Sequence, residues 1–119
     1  MRKGYGAEYQ VKQMLERMWG KGYVIKSASS RNIPDFIILG KKLAYEVKST
    51  TRKKLILHKR DKEQYKRFLE WRNKTKSDIK YIIIFRKKPK NRIEILTIDE
   101  FGEKYVKAKR KEDAHRNGH

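Results

Sequence analysis

A chain of 119 residues has room for one compact domain, and with 37% hydrophobic residues it must commit most of them to a single core, which excludes a deep cleft between domains. Thirty-three Lys and Arg against fourteen Asp and Glu give a net charge of +19, so the expected partner is acidic, either nucleic acid or an anionic membrane surface. The lack of cysteine excludes disulfides, thiolate zinc sites and cysteine nucleophiles, leaving oxygen atoms or three histidines to hold any metal.

The chain opens on Met1-Arg2-Lys3-Gly4 and passes directly into polar periodic sequence, without the apolar stretch of a secretory signal; an intracellular, cytoplasmic location is expected. Over residues 5–19, Ala7, Val11, Met14, Leu15 and Met18 recur every three or four positions and predict an amphipathic helix, stopped by Gly20 and Gly22. Residues 23–25 read as a short strand and 27–32 as a polar loop. Pro34 cannot donate to a ladder, so the next strand begins at about Asp35 and runs through Phe36-Ile37-Ile38-Leu39 to a turn at Gly40-Lys41-Lys42. Residues 43–49 form a third strand, with Leu43, Tyr45 and Val47 on one face and Ala44, Glu46 and Lys48 on the other.

Tyr65, Phe68, Leu69 and Trp71 at helical spacing predict a second helix over 59–72. Tyr81-Ile82-Ile83-Ile84-Phe85 is a strand, and at five residues this longest apolar run is far short of the roughly twenty that span a bilayer. With no basic amphipathic helix or lipidation signal either, no membrane partner is expected. Residues 93–98 complete a hairpin, and Asp99 caps a last short helix reaching Tyr105 or Val106. The whole is one α/β domain over 1–106, a mixed central sheet of about five strands flanked by helices, followed by a basic, aperiodic tail over 107–119 that reads as disordered.

Chemistry concentrates on Asp35, at the mouth of one strand, and on Glu46 and Lys48, which share one face of the next. If the Gly40 turn makes those strands neighbours, the three side chains converge at one edge of the sheet. Two carboxylates with the Val47 carbonyl between them make an oxygen-only site of the kind Mg²⁺ accepts, and Lys48 adds a cation beside it. Phosphodiester hydrolysis needs that set: a Lewis acid, an activated water and compensation for charge building on the phosphoryl group. Glu8 borders the apolar face of the first helix, three residues before Val11, and is expected to turn toward the sheet, where a metal or a water held by one would partner it. Each residue taken singly also fits a plain role as a strand-entry or solvated-face residue. His58, before Lys59-Arg60, reads more simply as a phosphate contact or turn than as a general base, and Ser27, Ser29 and Ser30 as phosphate-facing or turn-forming hydroxyls.

These residues resemble the archaeal Holliday junction resolvases within the wider PD-(D/E)xK nuclease group. The resembling stretches are Arg2-Lys3-Gly4 with Ala7-Glu8, Ser27-Ala28 and the loop at Arg31, Pro34-Asp35, Glu46-Val47-Lys48 with Ser49-Thr50-Thr51, and Lys59-Arg60-Asp61. They cover about the first half of the chain; the second half matches only in the order of its elements. The resemblance implies a restriction-endonuclease-like fold, an active site of Glu8, Asp35, Glu46 and Lys48, and Mg²⁺, with Mn²⁺ as a substitute, held by Asp35, Glu46, the Val47 carbonyl and Glu8. It further implies a homodimer that nicks opposing strands of a four-way junction. Arg2, Lys3, Ser27, Ser30, Arg31, Lys53, Lys54, Lys59 and Arg60 are the expected DNA contacts, mostly to phosphates, so that branch shape rather than base sequence selects the substrate. Tyr9 and Gln10 depart from the charged residues usual after that glutamate, and the loop before Asp35 is one residue longer. The competing readings are a nuclease of the same group acting on other DNA structures, and a basic DNA-binding protein without catalysis.

Overall fold

The computed structural model describes residues 6–28, 32–87 and 89–107. Helix α1 (Ala7–Trp19) forms on the apolar stripe predicted for it and buries Val11 and Leu15 completely. Gly20 ends it: its N–H still bonds the Glu16 carbonyl, but its φ of 108° turns the chain out of the helix at a cost only glycine avoids. Strands β1 (Val24–Lys26), β2 (Phe36–Ile38) and β3 (Leu43–Thr50) follow. Helix α2 (Lys59–Thr75) then crosses to β4 (Asp78–Phe85), and β5 (Arg92–Thr97), α3 (Ile98–Phe101) and a π-helical turn, Gly102–Lys107, complete the described chain.

The sheet order is β1-β2-β3-β4-β5. Pairs β1–β2, β2–β3 and β4–β5 are antiparallel, whereas the helical crossover makes β3–β4 parallel over eight residue pairs, Leu43 with Asp78 through Thr50 with Phe85. This is the α/β fold with a mixed five-stranded sheet that the periodicities predict. Both faces are covered, which explains why β4 is continuously apolar and buried from Tyr81 to Phe85. On one face Ala44, Ile79, Tyr81, Ile83 and Phe85 pack against Phe68 of α2 and Phe101 of α3. On the other, Phe36, Ile38, Tyr45, Ile82 and Ile84 pack against Val11 and Leu15 of α1. The Tyr81 and Phe101 rings are stacked at 3.7 Å and 3°, and Phe68 tilts against Tyr81 at 6.3 Å.

Element order and the two faces of β3 agree with expectation; Met18 and Leu39, expected on the apolar stripe of α1 and in a buried strand, are each 54% exposed, and several ends differ. Strand β1 sits one residue later than 23–25, and α2 continues three residues past Arg72, to a left-handed Lys76. Strand β4 starts at Asp78 instead of Tyr81 because pairing with β3 extends it through residues whose apolar content is low. The last helix is capped by Thr97, not Asp99: Thr97 Oγ1 accepts the Glu100 N–H at 3.0 Å while Glu100 accepts the Thr97 N–H at 2.9 Å, a reciprocal box. Lys107 belongs to the π-helical turn, so helical structure reaches one residue into the expected tail; residues 108–119 lie outside the described residues.

Gly102 has ordinary helical dihedrals, and its need is for space, since a Cβ there would meet the Tyr65 hydroxyl and stand 2.8 Å from its ring carbon Cζ. Gly102→Ala is therefore expected to lower stability by about 1–3 kcal/mol in urea titrations, as overpacking does. Tyr65→Phe in the same chain removes the nearest obstructing atom and should recover part of that loss; equal stability of wild type and Gly102→Ala would refute the close approach.

Candidate active site

Strand β2 begins only at Phe36, opposite Tyr45, while β3 runs on past that point through Glu46, Val47 and Lys48 with β4 as its strand neighbour. Two carboxylates occupy the notch left at this end. Asp35 Oδ2 accepts the Val47 N–H at 2.9 Å, and Glu46 Oε1 accepts the Asp35 N–H at 3.1 Å, so each carboxylate is aimed by a backbone amide of the other's segment. In an extended strand the N–H and C=O of one residue point the same way. The Val47 carbonyl therefore opens toward Asp35, and with one oxygen of each carboxylate it forms an all-oxygen set suited to a hard divalent cation.

Glu46 is only 4% exposed. Its burial and the charge of Asp35 push its carboxyl up to about 8, and the Lys48 ammonium, 3.7 Å away, offsets only part of this. Asp35 is raised as well, by burial first, against the Val47 N–H that favours its charge. Burial and mutual repulsion thus both favour the protonated forms of this pair.

Lys48 is anchored from α2, where Asp61 Oδ1 at 3.0 Å and Gln64 Oε1 at 2.8 Å accept hydrogen bonds from its ammonium. Burial alone would raise the Asp61 carboxyl, but the His58 N–H, 3.0 Å from its other oxygen, and Lys48 outweigh that and lower it. Asp61 thus closes the first turn of α2 and orients the lysine at once. Its segment belongs to the resembling stretches, but no role was read for it, and Gln64 was missed; their three-residue spacing, which faces both toward β3, was the available signal. Tyr81, beside Glu46 in the β3–β4 register, was also missed. Its ring is fully buried, and its hydroxyl has no hydrogen-bond partner among the described residues.

Glu8 stands apart from the pair. It comes from the first turn of α1 and bonds Lys26 Nζ at 2.8 Å, near enough for its charge to raise Asp35 further. Among the described residues no three acidic or histidine side chains are grouped closely enough to hold one ion, so the acid cluster is a pair with Glu8 at its margin. Ser27 resolves into the turn-forming alternative, since its hydroxyl donates to the Pro34 carbonyl at 2.8 Å. Lys53, Lys54, Lys59 and Arg60 are all exposed, just beyond Lys48 and at the start of α2. Arg2, Lys3, Ser29, Ser30 and Arg31 lie outside the described residues. No protein-family model and no curated protein matches the chain.

A carboxyl whose folded pKa of about 8 exceeds its ordinary 4.5 binds its proton more tightly in the folded state. Its contribution is full below the ordinary value and is lost as pH rises through 8. The metal-free protein is therefore expected to lose on the order of a few kcal/mol between about pH 5 and pH 9. Glu46→Gln should flatten most of that slope in thermal melts; a slope that persists unchanged assigns it to other groups.

Proposed function

We propose that this chain is a divalent-metal-dependent DNA endonuclease that hydrolyses phosphodiesters at the Asp35–Glu46–Lys48 notch and acts on branched DNA. The observation that carries this reading is the crossed pair of carboxylates, each fixed by the other segment's amide, beside a partly buried ammonium in a protein of charge +19. The oxygen-only donor set is a fit for Mg²⁺ or Mn²⁺, and Asp35, Glu46 and the Val47 carbonyl would hold it. Such an ion, when bound, supplies Lewis acidity toward the phosphoryl oxygens. Lys48, locked by Asp61 and Gln64, presents an ammonium that orients the attacking water and offsets negative charge growing on the phosphate. Glu8, already hydrogen-bonded through Lys26, acts at one remove, on solvent at the margin of the pair.

The exposed cations at Lys53, Lys54, Lys59 and Arg60 would meet the phosphate backbone. Contacts of that kind carry little base information, which supports selection by DNA shape. Two sites in a homodimer would set that shape, and Ile93 and Ile95, 38% and 44% exposed on edge strand β5, offer an apolar contact for it. A four-way junction is thus the preferred substrate, with flaps or other branched DNA as the nearest variant. A purely architectural role also accommodates the charge, and Glu8's ion pair with Lys26 favours it to the extent that it leaves the metal with two carboxylates instead of three.

Cleavage of a synthetic four-way junction and of its component duplexes, with Mg²⁺, with Mn²⁺ and with chelator, separates these readings. Cutting should need the ion and favour the junction, while affinity falls with log salt by about 0.9 per phosphate neutralised. Asp35→Asn and Glu46→Gln should bind with near-normal affinity yet cut more than about a hundredfold slower. Asp61→Asn, which loosens Lys48 without touching the pair, should cost roughly 10–100-fold in rate, as outer-shell changes do. Binding without any metal-dependent nicking would establish the architectural role instead.

A further inference from the structure

Past Lys48 the same face of the sheet opens into a second concavity of about 290 Å³. That lies at the lower bound, about 300 Å³, of pockets that hold small molecules, and suits one nucleoside-sized group. Lys48 lines both this pocket and the acid notch. Thr50, two residues on, extends the wall by about 7 Å at the rise of a strand, so the pocket lies within a nucleotide or two of the proposed scissile phosphate.

Its walls differ in chemistry. Thr50 brings a hydroxyl, Arg52 a guanidinium and His58 an imidazole to the lining, where a phosphate and sugar would be met, and Asp61, already engaged by Lys48, also lines it. Leu55 and Ile56 make an aliphatic floor. Leu55 packs on the core and Leu57 is buried, whereas Ile56 between them is 42% exposed inside the concavity. Ile56 thus presents a large aliphatic side chain to the concavity two residues after the cations Arg52, Lys53 and Lys54. Against the flat face of a base, drawn in by its own phosphate, it has a partner, since flipped bases are commonly held between apolar side chains.

We infer that this pocket receives a single unpaired nucleotide adjoining the cleaved bond, its base against Leu55 and Ile56 and its phosphate toward Arg52 and His58. The inference rests on the nuclease reading for the identity of its ligand as DNA, and it deepens that reading. A continuously stacked duplex has no base to offer without first breaking a pair, whereas a branch point has bases already loosened. The pocket therefore makes interrupted stacking, and no particular base, the feature that is recognised.

The test uses full-length protein in chelator with junctions carrying one 2-aminopurine at successive positions around the branch, a probe that brightens when it leaves the stack. One position should brighten by about threefold or more on binding. Ile56→Trp, which fills an exposed site and leaves the core alone, should abolish the rise, while Ile56→Val should keep it; a thermal melt of each variant controls for folding. Uniform silence at all positions, or an equal rise with Ile56→Trp, overturns the pocket. Nicking of the same junctions in Mg²⁺ is read separately: nicking without brightening sinks the pocket and spares the nuclease, and Ile56-dependent brightening without nicking does the reverse.

Discussion

Everything at the candidate site depends on one reciprocal arrangement, in which Asp35 accepts from the amide of Val47 and Glu46 accepts from the amide of Asp35. Two carboxylates in a largely buried position repel each other and lose hydration, and both effects favour their neutral forms. The crossed amide bonds hold them in place against that repulsion. They also tie the entry of β2 to the middle of β3, so that the acids are positioned by backbone rather than by long, rotatable contacts. A lysine alone does not neutralise the pair, because Lys48 is shared with Asp61 and is farther from Glu46 than from its α2 partners. What is left is a site short of positive charge in a protein that elsewhere has an excess of it.

That contrast separates two uses of charge. The exposed Lys and Arg side chains act at a distance, raise the local concentration of a polyanion and are screened by salt. The buried groups act at contact and are screened little. A protein that only coated DNA would need the first kind, and burying Glu46 would weaken it. On the proposed reading the second kind has a use, since a proton and a divalent cation compete for the same carboxylate oxygens and whichever prevails decides whether the notch can work.

Much of this was legible from residues alone. The alternation in 43–49 put Glu46 and Lys48 on one face with Ala44, and the structure places Ala44 in one core layer and Tyr45 in the other. The Gly40 turn made β2 and β3 neighbours, which brings Asp35 to Glu46. Local periodicity carries that kind of information. It does not carry long-range partners: nothing in the spacing of Glu8 specifies Lys26, which comes from a strand whose register is set elsewhere, and the spacing that puts Asp61 and Gln64 on one face of α2 does not name Lys48 as what they meet. The start of β4 was hidden for the same reason, because Asp78 and Lys80 join the sheet through β3 and not through their own preference. The cap at Thr97 is different, since the Thr-x-x-Glu pattern of a capping box stands in residues 97–100 of the sequence itself.

Pro34 gives the notch its shape. Continuing the antiparallel register of β2 and β3, in which Phe36 faces Tyr45, would set Pro34 opposite Val47. Proline has no N–H, so the Val47 carbonyl could gain no ladder bond from it. The Pro34 carbonyl, for its part, accepts from Ser27 Oγ, and the Val47 amide that would have used it goes to the Asp35 carboxylate instead. One residue type thus ends the ladder, leaves a carbonyl open at the sheet edge, and hands the vacated amide to an acid. A residue with an N–H at this position would permit two more ladder bonds, draw Val47 into β2 and cover the oxygen set. The proline beside the aspartate therefore acts as the device that stops a strand one step early, and the site lies in the gap this creates.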